Sequence, residues 1–232
     1  MVTTHKAVLS EVFQNGTYEY RVGRDFDDSY YSQIKEFTVK DNSEVTTFKF
    51  VQETDQQGFS WIDYQAWRKS AKMLAQDQQD ADFLVNTGDI TQNGNRENEW
   101  LDYYQALDEF LGNKTEMFTV GNNDLCGHNA TQLTDGDDVT SKYNHVNVLK
   151  YFTFELDPRN EYDITWNNKK CLLYSTYSFN YGKFHFVAIN SENAIATSKV
   201  YTDDWNLSTN SGDATFAKTI NAKIEDWLKK DL

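Results

Sequence analysis

Three short apolar runs in the first half of the chain are each followed by a glycine and an oxygen-bearing side chain. The runs cover residues 48–51, 83–85 and 117–120. Runs of this length between turn residues are typical of buried β-strands. Asp55, Asp89 and Asn122 follow the three runs, and each is roughly 30 residues from the next, as one βαβ unit requires. The pattern predicts three parallel strands that bring these side chains to one edge of a sheet.

Helical periodicity occupies both intervals between these strands. Ser60 and Asp63 have the spacing of a capping box at the start of the first helix. Its apolar face is predicted to comprise Tyr64, Trp67, Ala71 and Leu74. The second helix is predicted to run from about Asn95 to Gly112, since glycine is a common C-terminal stop. Its apolar residues are Trp100, Tyr103, Tyr104, Leu107 and Phe110. Alternating strands and helices predict an α/β fold.

The N-terminal residues have a different pattern. Residues 5–38 form short alternating runs with a turn signal at Asn15-Gly16, which predicts β-strands, and 35–39 is a further strand candidate. The polar break at 41–44 is a predicted domain boundary, which divides the chain into 1–44 and 45–232. The first part is either a partial β module or a simple hairpin packed on the main sheet.

Beyond the third strand the pattern is at first irregular. Residues 125–170 are rich in Asn, Asp, Thr and Gly, and we expect them to cross the polar edge of the sheet, with a hairpin near 148–156. Two strands are predicted around Gly182, and an amphipathic helix over 215–230. The residues predicted to face inward from that helix are Phe216, Ile220, Ile224, Trp227 and Leu228.

Composition limits the possible partners. The formal net charge of −14 argues against a nucleic-acid backbone as the main partner, because the protein's own field repels phosphates. No stretch approaches the ~18 apolar residues of a membrane span. No signal-peptide pattern opens the chain, so the protein is cytosolic or the sequence begins after processing or inside a longer chain.

The two cysteines leave two alternatives open. Cys126 and Cys171 form either one disulfide or two buried thiols.

The three side chains at the sheet edge predict metal chemistry. Carboxylate and amide oxygens suit hard or borderline divalent ions, and an ionised Asp can be shared between two of them. The alternative is that Asp55 and Asp89 only cap the turns or helices that follow them. Three such residues in register favour the metal site.

The same residues carry a resemblance to a known family. Asp55-x-Gln57, Gly88-Asp89 and Gly121-Asn122-Asn123-Asp124 resemble the first three motifs of the calcineurin-like metallophosphoesterases, and the flanking sequence is closest to the purple acid phosphatase branch. The resemblance implies a layered sheet with flanking helices. It also identifies 1–44 as similar to part of a fibronectin-III-like module, and 45–232 as the N-terminal part of the catalytic domain.

The resemblance implies a role for each motif residue. Asp55 would bind a first metal ion, Asp89 would bridge two, and Asn122 would bind the second, with Mn, Fe or Zn as the expected divalent or trivalent ions. Gln57 stands where many relatives have a metal-binding histidine. Asn123 stands where the family has its catalytic histidine, and Asp124 corresponds to the acid that orients it.

Other departures from the family pattern suggest that the site in this chain is incomplete. Gln92 replaces the tyrosine of the purple acid phosphatases, and no histidine matches the family's later motifs. His185 is predicted to be a packing residue, whereas His128 and His145 could approach the site. We expect the missing histidine ligands to come from a C-terminal remainder or a second chain. The 232-residue chain alone should bind one weakly held ion or none.

The expected function is therefore metal-dependent hydrolysis of a phosphomonoester or phosphodiester. The resemblance favours an extracellular, cell-surface or virion-associated protein. The alternative is a catalytically degenerate phosphoesterase fold that serves in binding or assembly, for instance in a surface or virion complex. A carbohydrate-recognising module is a third hypothesis, based on the 6 Trp and 14 Tyr residues.

Overall fold

The computed structural model describes most of the N-terminal half of the chain and parts of the C-terminal half. The described residues are 5, 7, 13–23, 31–94, 96–125, 148, 151–152, 163–166, 169–172, 176–190, 222 and 224–232. The predictions for Cys126, His128, His145, Phe216 and Ile220 lie outside them. Within the described part, no helix is long and apolar enough to cross a membrane.

A three-stranded parallel sheet lies at the centre of the fold. Its strands are β3 (Phe50–Glu53), β4 (Phe83–Asn86) and β5 (Thr115–Phe118), with β4 in the middle. The register places Glu53 beside Asn86, and Asn86 beside Phe118. All three strands therefore end at the same edge, as the spacing of the apolar runs predicts.

Two helices cover one face of this sheet. Helices α1 (Tyr64–Asp77) and α2 (Glu97–Leu111) follow β3 and β4. Their buried residues form one core cluster with Leu84 of β4. The Trp67 and Tyr103 rings stack at a centroid distance of 5.4 Å, which fixes α1 against α2. The observed order of strands and helices confirms the predicted α/β fold.

The ends of both helices show how local sequence sets their limits. The Asp63 carboxylate accepts the main-chain N–H of Ser60 at 3.0 Å, which is one half of a capping box. The predicted box is otherwise wrong: residues 61–63 form a turn, and Asp63 itself is the N-cap of α1, without a side-chain cap hydrogen bond. At the end of α2, the Gly112 N–H donates to the Asp108 carbonyl at 3.1 Å. Gly112 has φ −57°, so it ends the helix without the left-handed conformation that usually favours glycine there.

An aromatic layer covers the opposite face of the sheet. It includes residues of the antiparallel hairpin that β8 (Tyr177–Tyr181) and β9 (Phe184–Ala188) form. The ring of Phe83 lies 5.5 Å from Phe50 and 5.6 Å from Phe186, measured between centroids. Gly182 turns the hairpin with φ +60°, which glycine adopts without strain. The predicted strand pair around Gly182 is thus confirmed.

The N-terminal strands form a separate two-stranded sheet. Strands β1 (Gly16–Tyr20) and β2 (Lys35–Val39) pair in antiparallel register. The Tyr20 hydroxyl donates to the Gly112 carbonyl at 2.8 Å, and Lys35 Nζ lies 2.5 Å from Asp108 Oδ1. These contacts attach the hairpin to the end of α2. The fibronectin-III-like module and the boundary at residue 44 stay predictions.

Several C-terminal elements complete the described structure. Helix α3 (Asn122–Leu125) follows β5, and β6 (Asp163–Trp166) pairs with β7 (Lys169–Leu172). Residues 224–231 form a last helix, α4. Its Ile224 and Trp227 are buried, as the predicted amphipathic pattern requires.

The predicted hairpin near 148–156 is wrong at the described positions. Val148 and Tyr151 are helical, and the Phe152 N–H donates to the Val148 carbonyl at 2.8 Å, four residues back. Tyr151 stacks on Trp100, and Phe152 stacks on Phe118. Packing against α2 and β5 therefore outweighs the extended preference of β-branched and aromatic residues.

Candidate active site

A polar cleft opens at the carboxyl edge of the parallel sheet. Its volume is about 310 Å³. The lining residues are Thr54, Asp55, Thr87, Gly88, Asp89, Thr119, Val120, Gly121, Asn122 and Ile189. The loops after β3, β4 and β5 supply all of them except Ile189, which follows β9. The structure thus brings Asp55, Asp89 and Asn122 together, as their position after successive strands predicts.

The backbone at the two aspartates is unusual. Asp55 has φ 59° and Asp89 has φ 55°, and they are the only non-glycine residues with positive φ in the part of the chain that the structure describes. Left-handed backbone is disfavoured for residues with a Cβ, although Asp and Asn adopt it more readily than most. Strain of this kind concentrates at functional sites.

Main-chain hydrogen bonds hold the first two loops side by side. The Asp55 N–H donates to the Gly88 carbonyl at 3.0 Å, and the Gln57 N–H donates to the Asp89 carbonyl at 3.1 Å. Gly88 has φ +99°, and a Cβ there would meet the main chain of Gly121 at 2.6 Å. Only glycine allows the loops after β4 and β5 to approach this closely.

Asp124 binds the main chain of the neighbouring loops. Its carboxylate accepts the N–H groups of Asp89 at 2.8 Å, Thr91 at 3.0 Å and Gly121 at 3.0 Å. Burial raises the pKa of Asp124 to about 7, although the hydrogen bonds from Thr91 and Gly121 lower it. The resemblance gives this acid the role of orienting residue 123. In the structure, its described partners are the main chain of both loops and the Thr91 hydroxyl, which donates at 3.3 Å.

The Asp89 side chain accepts hydrogen bonds from two amide side chains and one main-chain N–H. The Asn123 N–H donates to Oδ1 at 2.9 Å, and Asn123 Nδ2 donates to Oδ2 at 3.0 Å. Gln57 Nε2 lies 3.4 Å from the same Oδ2. Burial raises the pKa of Asp89, whereas the donors from Asn123 lower it, and the nearby Asp55 raises it further. Asp55 and Asp89 are thus close enough to interact.

Residues behind the loops support this arrangement, and sequence reasoning did not assign them to the site. Asn86 Oδ1 accepts the Gly88 N–H at 2.9 Å, and the Tyr64 hydroxyl donates to the Ile90 carbonyl at 2.9 Å. Glu99, fully buried, accepts the Asn93 N–H at 2.7 Å. One signal is visible in the sequence: Glu99 falls on the apolar stripe of α2, where a charged residue needs a specific partner.

A second group of acids lies under the same strand ends, on the helix-covered face. The Tyr103 hydroxyl donates to Glu116 Oε1 at 2.7 Å and accepts from Asn86 Nδ2 at 2.8 Å. Burial raises the pKa of Glu116 to about 7. Burial, and then the charge of Glu116, raise the pKa of Glu53 to about 8. We call Glu53, Asn86, Tyr103 and Glu116 the buried polar network.

Of the two described histidines, His5 and His185, neither lines the cleft. His185 lies on β9, with Nδ1 2.7 Å from Asn180 Oδ1 and Nε2 2.8 Å from Asp231 Oδ2. It therefore links the hairpin to α4. Among the described residues, no group of three or more His, Cys, Asp or Glu side chains is placed to hold a metal ion. A metal there would need amide oxygens beside Asp55 and Asp89.

One amide oxygen meets that requirement. Gln57 Oε1 is buried and has no hydrogen-bond partner among the described residues. A buried acceptor without a partner is rare in proteins and calls for a partner such as water or an ion. Gln57 contacts Asp89 through the other end of the same amide. The donor set of Asp55, Gln57 and Asp89 therefore fits a hard cation.

Comparisons with known proteins agree with this fold. The family model of the calcineurin-like phosphoesterases matches residues 25–230, whereas no curated protein matches the chain. Among nine matching chains of solved structures is a purple acid phosphatase, PPD1, isolated from yellow lupin (Lupinus luteus) seeds. The two are 17% identical with a TM-score of 0.54, and the match covers 92% of this chain and 35% of that chain. The chain thus spans about a third of the lupin protein's length, and the similarity concerns the fold.

Proposed function

Because the chain belongs to the calcineurin-like phosphoesterase family, a class of hydrolases, we propose that its cleft supports metal-dependent hydrolysis of a phosphomonoester or phosphodiester. One observation carries this proposal: the two carboxylates that the motifs predict as ligands are also the two left-handed non-glycine residues described. Both strained positions line the same cleft. A ligand explains this better than loop capping does.

Each residue of the site has a proposed role. Asp55, Gln57, Asp89 and Asn122 supply the oxygens that hold the expected cations. When bound, these cations stabilise negative charge on the phosphoryl oxygens and activate water as the nucleophile. Asp124 is a positioning residue, because its carboxylate fixes the main chain at Asp89 and Gly121. Histidine ligands from another polypeptide segment would complete the dinuclear site that the family resemblance implies.

Asn123 limits which leaving groups the proposed site can release. Its amide can donate a hydrogen bond but cannot transfer a proton to a leaving oxygen. Loss of a general acid lowers turnover by about 10²–10⁴-fold when the leaving group is basic. An aryl ester has a leaving group that is stable as an anion, so it needs no protonation. We therefore propose esters with acidic leaving groups as the preferred substrates.

A binding or assembly module is the second candidate. The hydrogen bonds from Asn123 and Gln57 satisfy Asp89 within the protein, which favours a site that is stable without cations. In that case the fold would present the cleft as a recognition surface and would not hydrolyse an ester.

The test compares an aryl phosphoester with an alkyl phosphoester, with Mn²⁺ present, on the chain supplemented with a C-terminal complement that carries the histidines. We expect Asp89→Asn to abolish hydrolysis of both esters, because it removes the central negative charge. Asn123→His should accelerate the alkyl ester far more than the aryl ester. Asp77→Asn, on the exposed end of α1, is the matched control and should leave both rates unchanged. A complex that takes up metal and hydrolyses neither ester would exclude the enzyme and leave the binding module.

A further inference from the structure

The two side chains that stand at family histidine positions both donate to one carboxylate. Gln57 and Asn123 are the positions where the resemblance implies histidine, and both side chains donate to Asp89 Oδ2, at 3.4 and 3.0 Å. The Asn123 main-chain N–H donates to Oδ1 at 2.9 Å. Both oxygens of the proposed bridging ligand therefore already accept hydrogen bonds from amides.

These hydrogen bonds compete with metal bonds. A carboxylate offers about four lone-pair sites on its two oxygens, and a bridging carboxylate directs at least one of them at each cation. An N–H group presents its positive end to the oxygen, so it occupies a lone pair and repels a cation that approaches along the same direction. Three N–H donors leave little of Asp89 available for two cations.

Asn123 is held in this position from both sides of its peptide unit. Its carbonyl accepts the Gly94 N–H at 2.8 Å, and a Cβ on Gly94 would meet Asp124 Cα at 3.0 Å, so the loop after β4 packs directly on α3. These contacts fix the Asn123 main chain beside Asp89, and from there its side chain reaches Oδ2. The amide of Asn123 is thus a built-in partner for the Asp89 charge.

Gln57 has a second amide atom that is not engaged by Asp89. Its Nε2 contacts Asp89, whereas its buried Oε1 has no partner among the described residues. Asp55 lines the same cleft and interacts electrostatically with Asp89. Asp55, Gln57 and Asp89 therefore each offer an oxygen, and none of them is the soft or imidazole ligand that favours Zn²⁺.

We propose that the Asn123 amide replaces one of the family's two cations, so that the site binds a single hard divalent cation through Asp55, Gln57 and Asp89. This inference rests on the proposed function, because it concerns the same cleft. It differs in stoichiometry and in metal preference: one ion instead of two, and Mn²⁺ or Mg²⁺ in preference to Zn²⁺.

Equilibrium dialysis of the 232-residue chain against Mn²⁺ alone, read by electron paramagnetic resonance, tests the stoichiometry. We expect one equivalent in the wild type, with the spectrum of an isolated ion; because the missing histidines would also limit the chain to one ion, the Asn123 variants are the deciding measurement. Asn123→Ala and the similarly sized Asn123→Leu remove the Nδ2 donor. They should tighten Mn²⁺ binding by about tenfold, since a hydrogen bond to a charged group contributes about 1.5 kcal/mol or more. Asn98→Ala, on the exposed surface of α2, is the matched control and should bind as the wild type does.

The outcomes separate this inference from the proposed function. Two equivalents in the wild type, or a coupled two-ion spectrum, would overturn the inference and leave the phosphoesterase proposal intact. No Mn²⁺ binding by the wild type or by either Asn123 variant would also overturn the inference, and the phosphoesterase proposal would still be decided by the ester assay on the complemented chain. Gln57→His provides a second measurement, because an imidazole ligand should shift the preference towards Zn²⁺; an unchanged preference would exclude Gln57 as a ligand.

Discussion

The two faces of the parallel sheet stabilise the fold in different ways. On the face towards β8 and β9, Phe83 packs among rings at centroid distances of 5.1–5.8 Å. On the helix-covered face, the buried polar network satisfies its groups through specific hydrogen bonds at 2.7 and 2.8 Å. Aromatic burial is strong and non-directional. The polar contacts contribute less net energy but fix positions.

This difference indicates which face of the sheet supports the loops of the cleft. Asn86 belongs to the buried polar network and also accepts the Gly88 N–H, so the network reaches the loop that carries Asp89. From the side of the aromatic layer, one described residue lines the cleft, Ile189, which directly follows β9. We therefore expect changes on the aromatic face to alter stability alone, and changes on the polar face to alter stability and ligand binding together.

The largest expected loss of stability comes from the aromatic face. Phe83→Ala removes a buried ring and should lower the free energy of unfolding by about 4 kcal/mol, the usual range for phenylalanine in a core. Mn²⁺ affinity of the folded fraction should be unchanged. Urea denaturation and Mn²⁺ titration measure the two effects. Phe184→Ala, at a ring that is 43% exposed, is the control and should lose about 1 kcal/mol or less. A large drop in Mn²⁺ affinity in Phe83→Ala would contradict the separation of the faces.

The next effect should come from Asp124. Asp124→Ala leaves the N–H groups of Asp89, Thr91 and Gly121 without their acceptor and should lower the free energy of unfolding by about 3 kcal/mol, since each buried unsatisfied donor costs about 1–3 kcal/mol. Mn²⁺ binding should weaken in parallel, because the loop backbone loses its support. Asp124→Asn keeps one acceptor oxygen and should retain part of both properties. Equal Mn²⁺ affinity in the wild type and Asp124→Ala would show that the loops hold their geometry without this acid.

The smallest effect concerns pH. Burial raises the pKa of Glu116 from 4.5 to about 7 in the folded state, so the folded state holds this proton more tightly than the unfolded chain. The corresponding stability is fully present below about pH 4.5 and is lost as the pH rises to about 7, by on the order of 2–3 kcal/mol. Glu53, whose pKa is about 8, extends the same trend upward.

Glu116→Gln isolates this contribution. The variant should match the wild type near pH 4 and unfold at a higher urea concentration than the wild type at pH 8, because it has no carboxyl to ionise in the unfolded state. Glu109→Gln, on the exposed side of α2, is the control and should follow the wild-type pH profile. Parallel profiles for Glu116→Gln and the wild type would show that Glu116 ionises equally in both states.

The sequence predicts those parts of the structure that depend on local pattern. The three parallel strands follow from the apolar runs to within two residues at each end, and the Ser60–Asp63 contact follows from spacing alone. The role of Asp124 does not, because its three main-chain partners lie on two loops that meet only after the sheet forms. The helical Val148 was also mispredicted, since its conformation depends on distant rings of α2 and β5.

The candidate site was predictable as a set of residues but not as a geometry. Asp55, Asp89 and Asn122 could be selected because each follows a strand. Their neighbours Gln57 and Asn123 could be recognised as departures from histidine. That both amides would turn to the same carboxylate depends on side-chain directions across two loops, which no periodicity in the sequence encodes.

The left-handed backbone at Asp55 and Asp89 also limits how these positions can change by mutation. Asn and Gly tolerate this conformation, whereas a β-branched residue such as valine would be strained in it. Single substitutions that preserve the loop therefore belong to a small group, and every member of that group other than Asp lacks a charge. Replacement by asparagine or glycine would therefore remove the proposed ligand charge at this cleft and leave the fold intact, so relatives with the same fold and no metal site are readily accessible to evolution.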